Sequence, residues 1–272
     1  MIPAITTTRW AVLGLMLCTI QASVGRSVTR PRDVQQKPGA ALHHHSNASI
    51  RSLPVYHCYR IHRNLSLTGK VSDRAWRYAQ VIHLNNPIDG KPGRYPTTAR
   101  VLYNKHYLYI AFQCEDRFVW GTLTEHDAQI FTEECVEAFI CPSGKMRQYY
   151  EIDVSPRNTV FDAFILNGRP LNGKWRDLLT WKDYTCDGLV TRVWIDGELG
   201  KQGAKGWSAE YAIPFSSIIG SDHLTPRRGD EWRLNLYRID SPQPPHLEFY
   251  AWSPTGANDF HRPWRFGFLK FE

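Results

Sequence analysis

Several features are scarce in this 272-residue chain, and each absence removes a class of answer. No two cysteines are spaced C-x-x-C, which removes a zinc ribbon. Only Met146 lies beyond the first twenty residues among three methionines, and it sits on a turn, so a methionine-ligated haem has a poor source. No long amphipathic-helix pattern and no internal repeat can be read along the chain. The apolar run from Trp10 to Ile20 is too short to cross a bilayer, which takes roughly 20 apolar residues.

What that run does fit is a secretory signal peptide over residues 1–25. Arg9 precedes it, and Ser23-Val24-Gly25 offers a small-x-small cleavage site. Leu17 stands where a lipoprotein site before Cys18 needs a small residue, so a soluble secreted or periplasmic protein is expected, with no transmembrane segment after processing. Residues 26–52 are polar, basic and rich in proline, the composition of a disordered leader. His43-His44-His45 in that leader is read as chance composition rather than a metal site. Most of the chain's net charge of +7 resides in these first 52 residues, which leaves a nearly balanced remainder and no nucleic-acid surface.

Residues 53–272 are expected to form one domain that accounts for the whole processed chain. Its cysteines are Cys58, Cys114, Cys135, Cys141 and Cys186, an odd number that leaves at least one free thiol. Cys135 and Cys141 lie on one predicted strand, about 20 Å apart at ~3.3 Å per residue, and cannot pair with each other. Asn47 and Asn64 begin N-x-S sequons.

The domain is organised around Asp127 to Asp162. Cys135 to Ile140 and Tyr149 to Val154 read as antiparallel strands joined by a turn through Pro142, Ser143 and Gly144. Successive side chains on a strand point opposite ways. Val136, Ala138 and Ile140 with Tyr150, Ile152 and Val154 therefore form the core face. Glu137, Phe139, Tyr149, Glu151 and Asp153 share the other, expected as an open face where rings and carboxylates suit a sugar.

Elsewhere, Tyr56 to Leu67 reads as an edge strand, and Ser72 as the cap of a short helix that carries Trp76 as a core plug. A loop spans Pro87 to Pro96. Thr98 to Tyr103 and His106 to Cys114 make a hairpin, with further strands at 161–166, 189–195, 207–213, 232–239, 249–252 and 265–271. A long loop holding Trp175 and Trp181 fills 168–184. The fold class is all-β: two antiparallel sheets packed face to face as a sandwich or jelly roll.

A series of short blocks carries a resemblance. These are Leu67-x-Gly69-x5-Ala75-Trp76, Thr98 to Tyr103, Tyr107 to Phe112, Glu134-x-Val136-Glu137-Ala138-Phe139-Ile140, Tyr149 to Ile152 and Pro156 to Asp162, ending in Trp252 to Gly256, Phe260 to Pro263 and Phe266-Gly267. Together they resemble family 9 carbohydrate-binding modules, close to the DOMON-like sandwiches, from Leu67 to Glu272. The resemblance implies a non-catalytic module that binds xylan- or glucan-type polysaccharide and presents it to glycoside hydrolases.

In that family two tryptophans clamp the terminal sugars near a glutamate. The glutamate falls on Glu137, the first clamp position on Phe131 and the second on Phe266, both departures from tryptophan, with Trp264 close by. Asn235 and Arg238 match the region of the polar contacts, and Tyr149 and Glu151 extend the face. No cofactor is implied beyond structural calcium, for which Asp116, Asp127, Glu133 and Glu134 are the candidate ligands, although a salt-bridged rim is the reading preferred for them. His261 is read as a turn cap. Two alternatives stand beside this reading. One is a glycoside hydrolase acting through Glu137 and Glu151, and the other is a haem-binding electron-transfer module of the DOMON type.

Overall fold

Short β-branched and aromatic runs, broken by glycine, proline and asparagine turns, do become strands. A computed structural model describes residues 52–168 and 178–272; the expected signal peptide, the leader up to Arg51 and Trp175 lie outside the described residues. The strands are β1 (Val55–Arg60), β2 (Ile82–Asn85), β3 (Pro92–Tyr103), β4 (Tyr107–Glu115), β5 (Cys135–Cys141), β6 (Gln148–Val154) and β7 (Val160–Asn167). They continue as β8 (Leu178–Trp181), β9 (Val190–Asp196), β10 (Gly206–Pro214), β11 (Glu231–Gln243), β12 (His246–Ala251) and β13 (Gly267–Phe271).

The order β8-β7-β6-β5-β11 makes one layer and β2-β3-β4-β10-β9 the other. They are not the two separate sheets expected, because hydrogen bonds run continuously through both. The long strands fork. One edge of β11 takes β5, while its opposite edge takes β13 over Glu231–Leu234 and β12 from Tyr237 onward. β3 likewise pairs β2 along its first part and β1 at Leu102 and Tyr103. The paths β11-β12-β2-β3 and β11-β13-β1-β3 close the sheet in a barrel-like way.

β1 is thus an interior strand rather than an edge, and its pairings with β13 and β3 are parallel. The loop expected to reach Pro96 ends sooner, at the Pro92 start of β3. A Cβ at Gly93 would lie 1.9 Å from Cε1 of Tyr250, so glycine lets that ring close over the strand.

The short helix is a 3-10 turn, Arg74–Tyr78, and Asp73 rather than Ser72 caps it by accepting from Ala75 N. Trp76 is the buried plug expected. Its Nε1 donates to buried Glu210 at 2.8 Å, and the same carboxylate accepts from Thr68 N and Gly69 N. Gly69 has φ +80° with the Val193 carbonyl where a Cβ would sit, which explains the glycine of the Leu67-x-Gly69 block.

The alternation along β5 and β6 is as read. Val136, Ala138, Ile140, Tyr150, Ile152 and Val154 meet Val101, Ile110, Phe112, Ala209 and Tyr211 in the core between the layers. The opposite face is not open. Phe139 and Tyr149 join Phe161, Ile165, Tyr237, Ile239 and Phe266 in a second buried cluster, against which Phe131, Phe249 and Phe260 pack. All five cysteines of the domain are free and buried. No helix among the described residues is long and apolar enough to cross a membrane.

Candidate functional site

The second cluster leaves one opening over the outer face of β5 and β6. A pocket of about 280 Å3 has Glu137, Phe139 and Glu151 at its floor and Phe131, Phe161, Phe249 and Phe260 along its walls. Thr180, Lys182, Asn258, Asp259 and His261 stand around it. The floor follows from strand register: Glu137 pairs with Asp153 and Phe139 with Glu151 across β5 and β6, so alternation turns all four side chains the same way.

Side chains one layer deeper hold the walls. Phe260 stacks on Tyr237 with centroids 4.0 Å apart and meets Phe249 edge-on at 5.8 Å. The Tyr237 hydroxyl donates to the Phe260 carbonyl at 2.9 Å and accepts from Asn235 Nδ2 at 2.8 Å. His261 Nδ1 lies 2.8 Å from the Tyr149 hydroxyl, and its Nε2 is 3.9 Å from Glu151. Asn167 Nδ2 donates to both the Tyr149 hydroxyl and the His261 carbonyl. Side-chain bonds on both sides therefore pin the 258–261 wall to the sheet.

The floor brings three acidic groups together with little to balance them. Oxygens of Glu137, Glu151 and Asp153 lie within 4.8 Å of one another, and all three residues are buried. Burial raises the carboxyl of Glu137 above its ordinary range. Burial and then the charge of Glu137 raise Glu151, against a weaker opposing pull from Lys182. Asp153 is raised by burial and then by both neighbours, and neither of its carboxylate oxygens has a hydrogen-bond partner. The Cys135 thiol donates to Glu137 at 3.4 Å.

Of the residues expected at a sugar site, Phe131, Glu137 and Glu151 meet at this pocket, and Tyr149 supports it through His261. The others lie elsewhere. Phe266 is fully buried beneath the pocket, edge-on to Phe139 and Tyr149, and Trp264 sits half-buried on the 3-10 turn Pro263–Arg265 outside the lining. Asn235 is buried and bound to Ser253, reaching the pocket only through Tyr237. Arg238 points to the opposite face, where it is fully buried and pairs with Asp116 at 2.8 Å and Asp240 at 3.2 Å. Phe249, Phe260 and Lys182 are pocket residues that the sequence reading did not single out, and His261 is a wall of the pocket rather than only a turn cap.

The four acids weighed as a calcium site or a salt-bridged rim do not converge on one place. Asp116 and Glu134 sit with Asp240 around Arg238; Glu133 accepts from the Thr122 and Leu123 amides; Asp127 pairs with His126 beside Asp162. Met146 is partly exposed, with its sulfur 3.9 Å from Arg233 Nη1, and does not line the pocket.

Residues 91–271 match the family model for carbohydrate-binding family 9. An extracellular protein of Arthroderma benhamiae is 28% identical over 190 residues, covering 66% of this chain and 81% of that one. A Bacteroides uniformis structure described as carbohydrate-binding superposes with a TM-score of 0.64 at 18% identity, over 81% of this chain and 100% of its own. A Caldicellulosiruptor kristjanssonii family 9 module in complex with cellotriose gives a TM-score of 0.57 at 11% identity, over 80% of this chain and 94% of its own. A second structure of a module from that organism, with glucose, gives 0.54 at 12% identity, over 79% and 95%.

Proposed function

The chain belongs to carbohydrate-binding family 9, and on that premise we propose that it binds the end of a glucan or xylan chain in the pocket between Phe131 and Phe260. The observation that carries this reading is the meeting of aromatic walls and floor carboxylates in one small opening. Sugar rings present C–H faces that pack on aromatic carbons, and hydroxyls that donate to carboxylates. Glu137 and Glu151 are the acceptors, while Phe131, Phe249 and Phe260 supply the stacking surface. The volume of about 280 Å3 is at the low end for ligand sites, which favours a chain terminus over a long run of sugars.

Phe260, which lines the pocket with Phe131, takes the wall role expected of the buried Phe266. Phenylalanine has less area than tryptophan and no N–H donor, so more of the affinity comes from the floor. Such a module, exported from the cell, would hold polysaccharide for glycoside hydrolases acting elsewhere. An extracellular relative is in keeping with export, and the cellotriose and glucose complexes of family modules are in keeping with the ligand class.

Isothermal titration calorimetry of the protein against cellotriose and xylotriose tests the reading, with Phe260→Ala and Glu137→Gln alongside. The expected result is saturable binding by the parent and at least tenfold weaker binding by each variant. A folded protein that binds no glycan overturns it.

A further inference from the structure

The floor of the pocket is electrostatically incomplete. Glu137, Glu151 and Asp153 bring three carboxyl groups together in a buried place where no described residue supplies a buried cation. Lys182, which acts on Glu151, is an exposed residue, and His261 stays 3.9 Å away. Asp153 is the sharpest sign. It is 0% exposed, both its oxygens lack a hydrogen-bond partner, and it lies at the closed end of the trio, outside the pocket lining. A buried carboxylate without partners is costly, so the group either holds a proton or takes up a cation.

The three groups are spaced to share an ion. Calcium sits about 2.3–2.6 Å from each oxygen ligand, so two ligands of one ion stand up to roughly 5 Å apart. The observed limit of 4.8 Å is within that span. The donors are all oxygen, which selects a hard cation over zinc or copper. Asp153 closes one side, while Glu137 and Glu151 line the pocket, so free coordination positions would face the opening.

We propose that Glu137, Glu151 and Asp153 form a calcium-class divalent cation site at the pocket floor, and that the ion's open positions take vicinal hydroxyls of the bound sugar. The cation half stands by itself; the hydroxyl half rests on the carbohydrate reading given above. The ion would neutralise the floor and turn a repulsive acid cluster into a set of hydroxyl ligands.

The test uses protein stripped with EDTA and then titrated with calcium chloride by calorimetry, with terbium luminescence as a second readout. One ion is expected to bind per chain, with at least tenfold loss in Asp153→Asn and in Glu151→Gln, each checked for folding by near-ultraviolet circular dichroism. Cellotriose affinity is expected to rise at least tenfold when calcium is restored. Asp153→Asn is expected to abolish that rise although Asp153 does not line the pocket. Calcium binding that both variants retain, or no binding at all, overturns the cation site. Equal cellotriose affinity with and without calcium overturns the hydroxyl role and leaves the carbohydrate reading intact. Calcium binding lost in Asp153→Asn, with no sugar bound in any condition, supports the ion site and overturns the carbohydrate reading instead.

Discussion

Two buried acid trios lie on opposite sides of the layer that holds β5, β6 and β11, and are balanced in different ways. Toward the inner face, Asp116, Glu134 and Asp240 surround Arg238, whose guanidinium also donates to Thr97 Oγ1 and the Glu115 carbonyl. Toward the outer face, Glu137, Glu151 and Asp153 lie within the same 4.8 Å limit, with no arginine beside them among the described residues. Tyr237 pairs with Glu137 and Arg238 with Val136, so the switch of face is a single step along β11. The inner trio carries its own cation and is sealed; the outer one opens onto a pocket and has no buried cation among the described residues. The inner cluster is therefore structural, and the outer one is the proposed ion site.

The largest effect that can break this contrast comes from Arg238→Met. Removing one partner of a buried ion pair typically costs about 3–5 kcal/mol, because the remaining charges are left uncompensated. Chemical denaturation near neutral pH is expected to show a loss of that order. A variant as stable as the parent would mean that the inner acids need no arginine, and the two trios would then be alike.

A smaller effect sharpens the electrostatics of the inner trio. Burial, and then the charge of Asp116, push the Glu134 carboxyl up from its ordinary 4.5 to about 10. The folded protein thus holds a proton that the unfolded chain releases, and stability falls as pH rises through that window. The contribution of Glu134 is complete below about 4.5 and is lost as pH approaches 10. One group can account for at most about 1.4 kcal/mol per pH unit. Urea denaturation at about pH 6 and about pH 9 is expected to show a shallower decline in Glu134→Gln than in the parent. Parallel declines would show that Glu134 is not the group responsible.

The contrast between the faces also shows what could be read before folding and what could not. Alternation along β5 and β6 separates Val136, Ala138 and Ile140 from Glu137 and Phe139, because apolar and polar residues differ in where they are stable. It cannot say that the polar side is covered, since the covering groups, Phe249 and Phe260, arrive from segments about a hundred residues away. On β11 the period carries less information. Asn235 and Arg238 are both polar, and nothing in their sequence distinguishes a side chain bonded within the protein from one facing a ligand. Phe266 was placed by its position before the Gly267 of the final strand; its ring instead turns inward onto Phe139 and Tyr149. The trio of Glu137, Glu151 and Asp153 was visible as a face. That Arg238 turns away from it was not, because the period along β11 does not say which face the guanidinium takes.

The finest test asks whether the two trios act independently although they share a layer of the sheet. Thr97 Oγ1 accepts from Arg238 Nη1 at 2.9 Å, and the Glu115 carbonyl accepts from the same nitrogen. Thr97→Val removes the first bond and leaves the second, so the arginine keeps its place at the loss of roughly one hydrogen bond, about 1 kcal/mol. For a domain of this size that is a fall of roughly 2–4 °C in the thermal midpoint, measurable by scanning calorimetry. Calcium and cellotriose titrations of the same variant should match the parent, because Thr97 and Arg238 lie on the sealed face and touch nothing in the pocket. A changed affinity would mean that the guanidinium reaches the outer trio through β5 and β11, and the two clusters would have to be treated as one charge system.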